Sequence, residues 1–328
     1  MPDKKNSKST TPTPAHKPES ETYGEVKKIH PLYFDIVNKR YWWFAISLLI
    51  LVPGLISLFT RGLNLGVDFT GGSMYEVTFN QPTTQAKITD TLQSVGLSGN
   101  VQISDDKLAL IRTEALDEDQ RNKMLTALET IAGSYDKASL KEDKVGPSIG
   151  QELTANALKA LLVAAVLMLV YISIRFQFAF AVSGIVALLH DILVTVGLFS
   201  IFQWPVDSTF VAAILTIFGY SINDTVVIFD RIRENEVRMR RGDSYEDMVD
   251  KSIWQTMGRS IKTVMTVIVA LVFLLILGGE STRTFALAML IGVISGAYSS
   301  IFNASQILVE IKLRMKSTRG KNPSGAKA

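Results

Sequence analysis

The sequence contains no cysteine and only three histidines, His16, His30 and His190, spread along 328 residues. Without thiols there is no disulfide framework, no thiol nucleophile and no cysteine-ligated metal or cluster. Three scattered imidazoles argue against a histidine-built metal site as well. Charge is scarce too: Asp, Glu, Lys and Arg make up 20% of residues, against about 25% in an average soluble protein. A net charge of +3 and a pI near 8.9 are too mild for a nucleic-acid binder. There is also no phosphate-cradling glycine loop with a lysine.

What is present is apolar length. Hydrophobic residues make up 47% of the chain, mean hydropathy is +0.23, and the charges cluster so that long runs are left empty. A helix needs about 20 mostly apolar residues to cross a bilayer. Tyr41–Thr60 is an uncharged run of 20 residues, and Leu153–Ile174 is a run of 22 with only Lys159 near one end. Phe176–Val206 holds one span interrupted by His190 and Asp191, and Ser208–Phe229 holds Asp224 as its single charge. Thr263–Gly279 reaches spanning length if extended backward through Arg259, and Thr284–Val309 adds 26 uncharged residues. Six spans are expected.

Basic residues concentrate in the N-terminal tail (8 before Tyr41), in Asp230–Lys262 (8) and after Val309 (6). The insert Arg61–Glu152 instead holds 9 basic and 14 acidic residues. The positive-inside rule then places both termini in the cytoplasm and the insert outside. Residues 1–30 are Pro/Ser/Thr/Lys-rich without an apolar stretch, which reads as a disordered cytoplasmic tail rather than a signal peptide. The expected division is a tail 1–30, a first helix with its flank 31–60, an outer domain 61–152, a five-helix domain 153–311 and a basic tail 312–328.

Within the insert, Ser73–Phe79 alternates like a strand, and Thr83–Val95 has helical spacing. Val101–Ile103 and Leu108–Ile111 flank a polar turn, Asp117–Ile131 is helical again, and Ala138–Val145 closes as a strand. The order β-α-β-β-α-β is ferredoxin-like. The fold class is therefore a polytopic α-helical membrane protein with six transmembrane helices and an α+β ferredoxin-like extracytoplasmic domain between helices 1 and 2. In the connection 230–257, Ser244 and Asp247 read as a capping box. Tyr245, Met248, Val249, Ser252 and Ile253 then share one apolar face. That face suits a helix lying along the membrane interface or, alternatively, a docking surface for a cytoplasmic partner. No internal repeat is visible.

Charged residues inside membrane helices face a bundle interior and mark pathways, because an ionised Asp at mid-membrane costs about 2.5–3.5 kcal/mol. Asp224 lies five residues inside the end of its run, roughly 8 Å deep at about 1.5 Å per residue. Tyr220 shares its face and Asn223 is beside it. The alternatives are a proton or ion relay and a static clamp between helices. Arg259 enters the next span at comparable depth, with Thr263 and Thr266 on its face; it is either the cationic partner or an interfacial anchor. His190-Asp191 is a second polar pair, either functional or simply hydrogen-bonded within the bundle. The Gly292, Gly296, Ser299 or Ser300, and Asn303 stripe of the last span reads as packing. An enzyme is not expected: two intramembrane aspartates invite comparison with aspartyl intramembrane proteases, but the contexts His190-Asp191 and Ser221-Ile222-Asn223-Asp224 do not fit. Ala181-Val182-Ser183-Gly184 likewise lacks the first glycine of a rhomboid-type serine motif. Gly66, Gly71 and Gly72 allow tight turns where the first helix enters the outer domain, and Gly146-Pro147 marks the other junction. These are hinge candidates, or simply compact linkers.

Several motifs together resemble the SecF branch of the SecD/SecF family of protein-export membrane subunits, which is of the resistance-nodulation-division superfamily type. They are Gly66-Val67-Asp68-Phe69-Thr70-Gly71-Gly72, Val145-Gly146-Pro147-Ser148-Ile149-Gly150, and His190-Asp191. The fourth span adds Gly219-Tyr220-Ser221-Ile222-Asn223-Asp224-Thr225 running on to Asp230-Arg231-Ile232-Arg233-Glu234-Asn235, and the last span Leu290-Ile291-Gly292-Val293. Thr263-Val264-Met265-Thr266 departs from the family's Thr-Ser-Gly-Thr but keeps both threonines. The resemblance implies a bacterial inner-membrane protein that pairs with SecD and uses the proton gradient to help the SecY/SecE/SecG translocon, with YajC and SecA, move unfolded secretory polypeptides. It implies protons as the coupling ion and no other cofactor, membrane lipids as surroundings, Asp224 as proton carrier and Arg259 as its partner. A proton-driven small-molecule or lipid exporter of the same architecture is the alternative.

Overall fold

The computed structural model describes residues 23–29, 33–240 and 242–320. The expected disordered tail lies mostly outside these residues, as does the end of the basic C-terminal tail. In chain order, α1 (Tyr23–Ile29) precedes α2 (Arg40–Thr60), β1 (Asn64–Leu65) and the single turn α3 (Val67–Thr70). The insert follows with β2 (Gly72–Thr78), α4 (Gln85–Ser94), β3 (Gly99–Asp105), β4 (Leu108–Thr113), α5 (Glu118–Ala127) and β5 (Lys141–Val145). Then come α6 (Pro147–Arg175), α7 (Phe178–Phe202), β6 (Pro205–Val206), α8 (Ser208–Val237) and α9 (Tyr245–Leu277). α10 (Glu280–Ser299) continues through a π turn, Ser300–Ala304, into α11 (Ser305–Gly320).

Among the described residues, six helical stretches are long and apolar enough to cross a membrane: α2, α6, α7, α8, α9 and α10 with α11. They are not equivalent. About half of the apolar stretch of α7, α8 and α10–α11 is buried within the chain, whereas little of α6, α2 or α9 is buried there. The first three therefore form the centre. α2 reaches them through Gly54, which meets Gly197 of α7 so closely that a Cβ on Gly54 would stand 3.0 Å from the Gly197 Cα. A hydrogen bond of 2.9 Å between Ser57 and Ser200 lies on the same contact. The π turn adds a residue to the last span, and here it accompanies inward-facing polar groups: Ser300 bonds Thr225 at 2.8 Å and Asn303 bonds Ser47 at 2.9 Å.

The insert forms a four-stranded antiparallel sheet in the order β3-β4-β2-β5, the ferredoxin-like arrangement that its element order predicts. Alternate residues of β2, Tyr75 and Val77, point into a core shared with Ile111 of β4 and with Ile88, Leu92, Met124 and Leu128 of the helical layer. Asp117 and Gln120 form a reciprocal capping box that starts α5. The helices thus cover one face of the sheet, and β2 sits centrally with a partner on each side.

Three sequence expectations are corrected. The amphipathic stretch after Ser244 is not a separate helix along the membrane surface, nor a free docking face; it is the first part of α9, which runs unbroken from Tyr245 to Leu277. Its Met248, Val249 and Ile253 are buried together with Ile36 and Val37 from the segment before α2. Residues 23–29, assigned from composition to the tail, form α1. The domain boundary at 152/153 also falls late, because α6 already begins at Pro147, the favoured first-turn position for proline.

The packing around α9's start depends on Asp250, which is 1% exposed. Its carboxylate accepts the Ile36 and Val37 amides at 2.9 and 3.2 Å and the Tyr33 hydroxyl at 2.5 Å. Tyr23 also reaches it, at 3.4 Å. Burial pushes the Tyr23 phenol up to about 12 and raises that of Tyr33 as well, the latter reinforced by its bond to Asp250. Both phenols therefore stay protonated donors at neutral pH.

Candidate functional site

The eight residues singled out as a relay fall into two groups, one between α8 and α9 and one in the centre of the bundle. Asp224 faces α9, where its Oδ1 accepts the Ser260 hydroxyl at 2.6 Å. Its Oδ2 is buried with no hydrogen-bond partner among the described residues. Arg259 precedes Ser260 in α9, but no direct ion pair joins it to Asp224 among the described residues. Tyr220, one turn before Asp224, donates to the Thr263 carbonyl of α9 at 3.4 Å. The threonines bond their own helix: Thr263 to the Arg259 carbonyl at 2.9 Å and Thr266 to the Thr263 carbonyl at 2.7 Å. Asn223, Arg259, Thr263 and Thr266 are exposed on the outside of the chain.

His190 and Asp191 lie in the centre of the bundle. Asp191 is fully buried. Its Oδ2 accepts the hydroxyls of Ser221 on α8 at 2.6 Å and Ser299 on α10 at 2.7 Å. Its Oδ1 accepts the hydroxyl of Ser295 at 2.7 Å and lies 3.1 Å from His190 Nδ1. Ser221 and Asp224 are three residues apart, so one turn of α8 holds a serine toward the core and a carboxylate toward α9. Ser299 was visible as part of a small-residue stripe. Ser295 completes the same stripe at i and i+4, a spacing that could have flagged it, whereas nothing local marks Ser260.

The junction residues converge at the domain end of α8. Gly66 donates its amide to the Val206 carbonyl at 2.7 Å, and β1 pairs in parallel with β6. Asp68 Oδ2 accepts both the Ser208 amide at 2.8 Å and the Ser208 hydroxyl at 2.6 Å. Gly71 and Gly72 have φ of 71° and 123°, and a Cβ on Gly72 would collide with the Thr113 carbonyl oxygen of the neighbouring strand. Gly146 caps α6 and Pro147 is its first residue, with Thr154 two turns on reaching the Phe69 carbonyl at 3.4 Å. Sequence reasoning missed Arg112, which reaches from β4 to Asn64 of β1 at 3.4 Å. Burial lowers the pKa of its guanidinium, and the nearby Asp207 charge opposes that shift.

The whole defines a class: a six-helix membrane protein with a ferredoxin-like domain tied to one end, carboxylates inside the bundle, and a glycine-rich junction. Comparison with known families identifies it further. Residues 124–314 match the model of the SecD/SecF protein-export membrane protein C-terminal family, and residues 56–83 match the SecD/SecF GG motif. The protein translocase subunit SecF of Sebaldella termitidis is 41% identical over 298 residues, covering 89% of this chain and 96% of its own. The chain belongs to the SecD/SecF family.

The protein translocase subunit SecDF of Bacillus subtilis is 38% identical over 288 residues, which cover 86% of this chain and 38% of that longer protein. The crystal structure of SecDF from Thermus thermophilus, a translocon-associated membrane protein, superposes with a TM-score of 0.77 at 33% identity. That match covers 86% of this chain and 39% of the solved one. The chain thus spans under half of the SecDF proteins and nearly all of the SecF subunit.

Proposed function

We propose that this protein is the SecF-type half of a complex that uses the proton gradient to promote export through the Sec translocon. Its partners are a SecD-type subunit, the SecY/SecE/SecG channel with YajC and SecA, and the unfolded polypeptides in transit. The complex lies in the bacterial inner membrane with the chain's termini in the cytoplasm and the outer domain in the periplasm. Relatives named as translocase subunits favour this reading over a small-molecule or lipid exporter.

The observation that carries it is Asp224. It is a carboxylate inside a membrane helix with one oxygen bonded to Ser260 and the other without a partner among the described residues. Such a group can change protonation with little rearrangement, because the proton takes an oxygen that gives up no bond. A change in its distance to Arg259, or in its access to water, would move that proton. Alternating access of Asp224 to the two sides of the membrane would couple that proton to a displacement of α8 against α9.

Asp224→Asn keeps the volume and the acceptor for Ser260 but cannot cycle a charge. In vesicles holding the complex it is expected to assemble normally and to lose both proton flux and gradient-stimulated export. Full stimulation in that variant would leave Asp224 as a structural clamp and overturn the reading.

A further inference from the structure

We propose that Asp68 is a positioning residue that makes α8 and the outer domain move as one body; this rests on the proton-driven reading above. α8 does not need Asp68 to begin. A helix leaves its first amides without intrahelical partners, and α8 has its own cap in Asp207, which accepts the Phe210 amide at 2.9 Å. Asp68 supplies a second carboxylate from 140 residues away, taking the amide and the hydroxyl of Ser208 on a single oxygen. The positive end of the helix dipole favours that charge. What the extra contact adds is a tie between two parts of the chain.

Both ends of the tie are stiff. On one side, α8 is a continuous helix from Ser208 to Val237, and Asp224 is 16 residues along it, about 24 Å at 1.5 Å per residue. A shift of α8 that starts at Asp224 therefore reaches Ser208. On the other side, Asp68 is four residues before Gly72, the first residue of β2, which is paired on both edges. The Gly66 amide bond to Val206, the β1–β6 pair and the Arg112–Asn64 contact hold the same short segment. The outer domain is covalently continuous with α2 and α6, not with α8. Asp68 gives it a direct polar hold on the helix that carries Asp224.

The test uses vesicles with the full complex and compares proton flux with gradient-stimulated export. Asp68→Ala is expected to keep wild-type flux and lose stimulation by about fivefold or more, the scale of ordinary coupling between sites. Asp68→Asn, which keeps an acceptor for the Ser208 amide, is expected to restore most of it. Wild-type export in Asp68→Ala, or loss of flux together with export at wild-type abundance, would overturn the proposal. A second measurement needs no protons. The chain has no native cysteine, so spin labels at Lys137→Cys and Phe202→Cys report the domain against the bundle alone. Their distance distribution should broaden in Asp68→Ala, and an unchanged distribution also overturns the proposal. Absence of flux in the wild type, by contrast, would count against the proton reading, and the label distances would still decide the tie.

Discussion

Two carboxylates inside one membrane bundle have opposite surroundings. A carboxylate offers about four lone-pair positions, and at Asp191 three serine hydroxyls and His190 occupy them. Asp191 has no exposure. Asp224 is half-buried, and its Oδ2 has no hydrogen-bond partner among the described residues. Asp191 therefore joins α7, α8 and α10 in a single node, and the surroundings of Asp224 suit the proton-carrying role proposed for it above. Interhelical hydrogen bonds in membranes average about 0.6 kcal/mol each, so losing the whole node in Asp191→Ala is expected to cost about 2 kcal/mol. The unfolding midpoint of the purified protein measures this, and an unchanged midpoint would remove the node from the account.

At the scale of elements, the Gly71-Gly72 junction is more constrained than a free hinge. Gly72 has φ of 123° and approaches the backbone of β4 where a Cβ has no room. Gly72→Ala is expected to destabilise the outer domain by more than about 1 kcal/mol, measurable as faster protease cleavage within residues 72–145. Resistance equal to wild type would show that β2 can shift to accept a side chain. The six spans were legible because run length alone signals them, and the outer domain because its strands and helices differ in period. Long-range contacts were not legible. The face of Met248, Val249 and Ile253 was plain, but its partner lies more than 200 residues earlier, around Ile36 and Val37. Asp250 shares a stripe with Trp254 and Met257 at i, i+4 and i+7, so an acid among buried neighbours was the available signal. Asp68 stood out within its motif, whereas Ser208, which it holds, has nothing local to mark it.

For the molecule as a whole, the exposed side of α8 and α9 is the unfinished part. Asn223, Arg259, Thr263 and Thr266 are exposed there beside Asp224, on helices apolar enough to span a membrane. Charged groups facing hydrocarbon cost about 2.5–3.5 kcal/mol each on insertion scales, and such groups normally face a bundle interior or a water-filled cavity. Lysines and arginines near helix ends can reach the interface, but Asn223 is too short to do so and lies next to Asp224. A second set of helices is therefore expected against this side, and the SecD-type partner is the candidate that the longer SecDF relatives suggest. Single cysteines at Asn223 or Thr266 are expected to crosslink to that partner in native membranes, with no competing thiol in this chain. A cysteine at Leu162, exposed on the peripheral helix α6, provides the comparison. Strong crosslinking at Leu162 and none at Asn223 or Thr266 would put the partner on α6. The polar side of α8 and α9 would then have to face water inside the membrane.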